Sequence, residues 1–178
     1  MTIRTSTELD AARQECLNLL IVYFTYRGTV AEFDRSWSRF ELHRWWTTLR
    51  VFENDLIMRI CRLDDDDKSL HSLRQALQSV RPQLLQKEAS ALDARLKTYR
   101  QLINPLKTKA RNYFLAHLDK KATKVPVDPR GGLEVPLAEV VNIVDAMVGE
   151  TVHYRLRVGS LEPELDLRSE LSGNTTRA

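Results

Sequence analysis

The stretch from Ser36 to Leu63 constrains the fold more than any other part of this chain. Leu42, Trp45, Trp46, Leu49, Phe52, Leu56, Ile57, Ile60 and Leu63 recur along it at helical spacing, which places one apolar stripe on a long α-helix. A helix of that length is a main strut of a bundle. The rest of the chain can follow suit, because only six glycines and six prolines interrupt 178 residues.

Local signals divide the remainder. Ser6 or Thr7 can cap a first helix, with Glu8 and Asp10 placed to favour its dipole. That helix is expected to run to about Tyr26 and stop at Gly28. Four like charges, Asp64 to Asp67, end the long helix, and as a solvated terminus they resist packing. Ser69 then caps a short helix to about Val80, stopped by Arg81-Pro82. The next helix runs from Pro82 to about Ile103, with Leu85, Ala89, Leu92, Leu96, Tyr99, Leu102 and Ile103 on its buried side.

Asn104-Pro105 should break or kink the chain, so Leu106 to His117 is expected as a separate helix. Lys120 to Val135 reads as a loop, with room for a hairpin around Asp128-Pro129-Arg130-Gly131-Gly132. Pro136 opens a last helix as its first residue. Its apolar face carries Leu137, Val140, Val141, Val144, Met147, Val148 and Thr151, and it ends near Gly159. The expected fold is all-α, a compact bundle of about five to six helices. Residues 1–159 form one domain, and residues 160–178 form a frayed tail.

Composition narrows the function classes. A chain with 43% hydrophobic and 29% charged residues is an ordinary soluble globular protein. Its net charge of +3 is too small to demand a nucleic-acid partner. Cys16 and Cys61 stand alone on helices, which excludes zinc-ligand spacing and leaves two reduced thiols. The apolar run Leu17 to Phe24 falls far short of the ~20 residues of a membrane span, and no leader pattern opens the chain. A cytoplasmic protein without cofactor or metal is expected. There is no GxxxxGK phosphate loop and no GxSxG elbow.

Chemistry concentrates in Arg111-Asn112-Tyr113-Phe114-Leu115-Ala116-His117. An arginine can hold a phosphate, an amide can orient it, and a histidine can move a proton near neutral pH. Lys107, Lys109, Arg111, Lys120, Lys121 and Lys124 surround the segment and are opposed by Asp119 alone. Such a patch attracts phosphates or else is a solvated face. On an ideal helix, Arg111 and His117 differ by about 240° and by about 9 Å along the axis. They cannot reach one small substrate from the same straight face. Either the chain turns at His117, or a second subunit completes the site; a packed core or interface histidine is the plainer reading.

Other polar groups have plainer expectations. Arg59 and Arg62 should pair with Asp64 to Asp67. His43 sits beside a tryptophan stripe that reads as core or interface. His153 has no carboxylate or cysteine at ligand spacing, and Lys68 and His71 carry no evident chemistry.

The segment KARNYFLAHLDKKA resembles the R-x(4–6)-H signature of HEPN domains, with the polar residue that follows its arginine. Upstream, NDLIMRICRLDDDDKSLHSLRQAL is similar to the abortive-infection U-type HEPN proteins, and together these stretches cover roughly residues 36 to 122. The resemblance implies a helical homodimer acting on RNA as a metal-independent endoribonuclease, with the two motifs meeting across the dimer axis. His117 would then be the general base, Arg111 would bind the scissile phosphate and Asn112 would orient one of them. Lys107, Lys109, Lys120, Lys121 and Lys124 would line the RNA path. Phage defence or a toxin–antitoxin pair, with a cognate antitoxin as partner, is the implied setting. A non-catalytic HEPN module that binds RNA, a nucleotide or a protein is the alternative, and a purely structural helical dimer a third.

Overall fold

In the computed structural model, residues 4–65, 71–115, 132–157, 159 and 165–173 are described, with 109–115, 172 and 173 described only by their place in a helix. Six α-helices and one short strand pair make up this part of the chain: α1 (Thr7–Ala31), α2 (Arg39–Leu63), α3 (Leu73–Val80), α4 (Gln86–Leu115), α5 (Glu134–Val148), β1 (Arg155–Leu156), β2 (Leu165–Asp166) and α6 (Leu167–Gly173). The all-α bundle expected from the spacing of apolar residues is the one observed.

The helix starts follow side-chain capping. Ser6 caps α1 by accepting from the Leu9 N–H at 3.0 Å. The long strut begins at Ser38, not Ser36. Ser38 and Glu41 form a reciprocal capping box, satisfying two otherwise orphaned backbone donors, whereas the Ser36 N–H turns back to Asp34. Ser72 caps α3 and donates to the Asp65 carbonyl at 2.7 Å. The expected cap, Ser69, lies outside the described residues. Pro82 does not open the fourth helix but sits in a 3₁₀ turn, Arg81–Gln83.

Three expected stops fail, each for a physical reason. α1 passes through Gly28 to Ala31; glycine weakens a helix without ending it when the chain beyond still has surface to bury. Here Trp45 secures that last turn by donating from Nε1 to the Thr29 carbonyl at 2.7 Å. α4 runs unbroken through Pro105, so the two helices expected on either side of Asn104-Pro105 are one. The proline removes a single hydrogen bond, and its neighbours Tyr99 and Ile103 are completely buried. In contrast, α5 ends ten residues early. Gly149 takes the left-handed conformation at φ 94° and its N–H closes on the Asp145 carbonyl, the usual glycine stop. Pro136 is the third residue of α5, not the first.

The core gathers around α1. Leu9, Ala12, Cys16, Leu19, Leu20 and Tyr23 face inward from it and meet Leu56, Ile60 and Leu63 of α2, Leu73, Leu77 and Val80 of α3, and Val140, Val144 and Met147 of α5. Most of the expected apolar positions are buried as read. Leu85 and Leu102 are exposed, and the tryptophan stripe divides: Trp45 packs against the core while Trp46 is 58% exposed. Phe33, Trp37 and Trp45 form an aromatic cluster at the α1–α2 corner.

The expected frayed tail does not hold for residues 165–173. Leu156 pairs with Leu165 and Arg155 with Asp166 in an antiparallel bridge. Leu167 and Leu171 are buried in the core, and Arg168 reaches back to Asp145 at 2.6 Å. Two large apolar side chains four residues apart suffice to seat a short amphipathic helix.

Two measurements test this packing. Gly28 is exposed, helical and has nothing within 4 Å of where a Cβ would sit. Gly28→Ala should therefore raise the urea unfolding free energy by about 0.5–1 kcal/mol; a loss of stability would show that α1 does not continue through this position. Leu167→Ala should lower stability by about 2–4 kcal/mol in the same assay. A wild-type midpoint for that variant would restore the frayed-tail reading.

Candidate functional site

α4 carries the candidate site. Arg111 and Asn112 lie on it, and the helix is described as far as Leu115. His117, Lys120, Lys121 and Lys124 lie outside the described residues, as does the hairpin expected around Gly131. Lys109 shares the helix with Arg111, and for both the description stops at that placement. The backbone thus delivers arginine and amide together on one helix.

Lys107 belongs to a different set of contacts. Its Nζ lies 2.5 Å from Asp64 Oδ2 and 3.3 Å from the Asp64 carbonyl. Arg100 approaches the same carboxylate, with Nε at 3.0 and 3.2 Å from its two oxygens. Asp64 caps the C-terminus of α2 with a side chain only 7% exposed. Contrary to the solvated terminus expected of Asp64 to Asp67, its first member is buried and paired. The charge of Lys107 is correspondingly committed within the fold.

Arg59 and Arg62 both reach Glu15 on α1; Asp66 and Asp67, two of their expected partners, lie outside the described residues. Arg59 spans Glu15 on α1, with Nη1 3.1 Å from both oxygens, and Asp55 one turn back. Arg62 lies 3.7 Å from Glu15. Glu15 is 2% exposed, so this pair ties α1 to α2 from inside; a buried carboxylate needs such a partner to remain charged. The spacing along one helix could not show it, because the partner sits 44 residues away.

Few described groups can move a proton at neutral pH. Burial pushes the Cys16 thiol up to about 12. Burial, then the hydrogen bond to Glu134, raises the Tyr23 phenol, while burial followed by the charge of Asp64 raises Tyr99. These groups stay protonated and serve as donors: Tyr23 to Glu134 Oε1, Tyr99 to the Ile60 carbonyl. Imidazole remains the side chain suited to the task. Of the described histidines, His43 is exposed and His71 Nδ1 lies 3.5 Å from the Ala11 carbonyl.

His153 does have a carboxylate partner, which its own spacing did not reveal. Its Nδ1 is 2.9 Å from Asp166 Oδ2, brought there by the strand pair. Arg168 N–H and Ser169 Oγ donate to the same carboxylate. This contact joins the segment before β1 to β2. It is far along the chain from Arg111 and holds structure together.

Comparison with known proteins places the chain in a family. The family model described as AbiU2, of HEPN type, matches residues 5–156. The match takes in all of α1 to α5, including the Arg111-Asn112 turn and His117. No curated protein and no solved structure matches the chain.

The Asp166 contacts make a pH prediction. Partial desolvation alone would raise this carboxyl, but the hydrogen bonds from His153, the Arg168 N–H and Ser169 outweigh it and hold the group below the usual carboxylate range. A depressed carboxyl contributes stability above its unfolded value of about 3.9 and loses it as pH falls through the lower folded value. Asp166→Asn should therefore be less stable than wild type above about pH 5, and the gap should close on acidification. Urea midpoints between neutral and acid pH read this directly; a gap that widens in acid contradicts it.

Proposed function

The chain belongs to the AbiU2 HEPN family, and within it we propose that the protein is a metal-independent endoribonuclease whose site is completed across a homodimer. The observation that supports this most is the placement of Arg111 and Asn112 together on one continuous helix, α4, with His117 six residues after Arg111 in the sequence. On a helix continued through position 117, arginine and histidine would differ by about 240° and could not serve one phosphodiester from a single straight face. Two copies of α4 approaching across a twofold axis bring one subunit's arginine towards the other's histidine.

The proposed chemistry needs no metal. The His117 imidazole takes the proton from a ribose 2′-hydroxyl, its ordinary pKa of ~6.5 suiting general-base work at neutral pH. The 2′-oxygen attacks phosphorus, the bond to the 5′-oxygen breaks, and that oxygen leaves with a proton from solvent. Arg111 holds the phosphate through charge-assisted hydrogen bonds and offsets the charge that builds in the transition state. Asn112 orients the phosphate or the imidazole. The products are a 2′,3′-cyclic phosphate and a 5′-hydroxyl end. Lys109, Lys120, Lys121 and Lys124 steer the RNA backbone, while Lys107, bound to Asp64, contributes little to that path.

An enzyme that cuts RNA inside its own cell requires restraint. A role in phage defence or as the toxin of a toxin–antitoxin pair, with a cognate antitoxin, fits that requirement. Among the described residues no helix is long and apolar enough to cross a membrane.

Incubation of the purified protein with end-labelled RNA in EDTA tests the proposal. Cleavage should persist in EDTA, leave cyclic phosphate ends, and fall by at least about 100-fold in His117→Ala and in Arg111→Ala, the scale expected for loss of a general base or a charge-stabilising group. Intact RNA that is nevertheless bound would identify a non-catalytic HEPN module instead.

A further inference from the structure

α4 contains its own weak point. Pro105 has no N–H to offer the Gln101 carbonyl, and its ring crowds the preceding turn. Beyond that point lie the turns carrying Arg111 and Asn112. Any slack at the proline is carried to the site as an error of direction.

One carboxylate bridges this point. Arg100 and Lys107 lie five residues before and two residues after Pro105. Seven residues apart, they are offset by only about 20° around the helix and about 10.5 Å along it, so both face the end of α2. Both reach Asp64. Arg100 Nε and Lys107 Nζ bind its carboxylate at 3.0 and 2.5 Å, and Arg100 Nη2 and Lys107 Nζ each donate to its carbonyl at 3.3 Å.

Capping α2 does not account for an aspartate here. A negative charge at a helix C-terminus opposes the helix dipole, and glycine or asparagine caps better. A carboxylate 7% exposed is tolerated because two cations meet it, and those cations sit on either side of a proline in another helix. Helical register continues the line: the Arg111 position lies four residues, about 40°, beyond Lys107.

We propose that Asp64 is a positioning residue, strapping α4 across Pro105 and so setting the course of the turns that carry Arg111 and Asn112. Its link to cleavage rests on the ribonuclease reading, but the strap itself is testable without any activity. In the full-length protein, amide hydrogen exchange over residues 106–115 should quicken by about tenfold in Asp64→Asn while α1 and α5 keep their wild-type protection. Pro105→Ala, introduced at an exposed position into the Asp64→Asn background, restores the missing N–H and should return slow exchange. A residue that merely filled space would not be rescued in this way.

In the cleavage assay kcat should fall in Asp64→Asn with KM within about twofold, and recover in the double variant. If wild type cuts no RNA, the ribonuclease reading fails and the exchange experiment still decides the strap. Unchanged exchange over 106–115, a uniform rise that includes α1 and α5, or no rescue by Pro105→Ala would each overturn the proposal.

Discussion

Helix α4 has to pass through Pro105 and still present Arg111 some distance beyond it. A proline inside a helix costs about 3 kcal/mol relative to alanine, and the structure offsets that cost from both sides. Before the proline, Tyr99 is buried and donates to the last turn of α2, and Ile103 is fully enclosed. After it, Lys107 returns to Asp64, where Arg100 already binds. α5 then leans on the first half of α4 through the paired contact of Arg95 with Glu139. The turns that carry Arg111 and Asn112 thus follow a proline that Asp64, from a different helix, bridges through Arg100 and Lys107.

What could be read from the sequence, and what could not, divides along the range of the interactions involved. The long strut α2 was legible because its apolar stripe is local. The buried face of α5 was legible for the same reason. Gly28, Pro105 and Gly149 were misjudged because each is only a tendency until the surroundings decide. Trp45 secures the helix past Gly28, and Asp64 spans Pro105. Past Gly149 the apolar residues continue, but Val152 and Tyr154 are buried from an extended segment. The tail looked too polar to fold, yet Leu167 and Leu171 were enough once Arg168 had found Asp145.

The candidate site shows the same division. Arg111 and Asn112 were visible as a motif and their shared helix was foreseen, because both are matters of spacing. The charge on Lys107 looked free in the sequence since its partner, Asp64, lies 43 residues upstream. Arg59 and Arg62 both reach the buried Glu15, which lies 44 residues upstream of Arg59. In both cases a buried carboxylate distant in the sequence takes the cation. A partly desolvated pair gains more than a pair held in water, and no count of charges along the chain reveals which acid will be buried.

In the proposed site, arginine and histidine from different subunits act on one phosphodiester. Mixing the Arg111→Ala and His117→Ala proteins, under conditions that let subunits exchange, tests it most directly. Each mixed dimer holds one intact arginine and one intact histidine, on different chains, and no chain with both. RNA cleavage in EDTA should reappear on mixing, although neither variant cuts alone. A mixture as inactive as its components, with exchange of subunits demonstrated, would contradict a site shared between two chains.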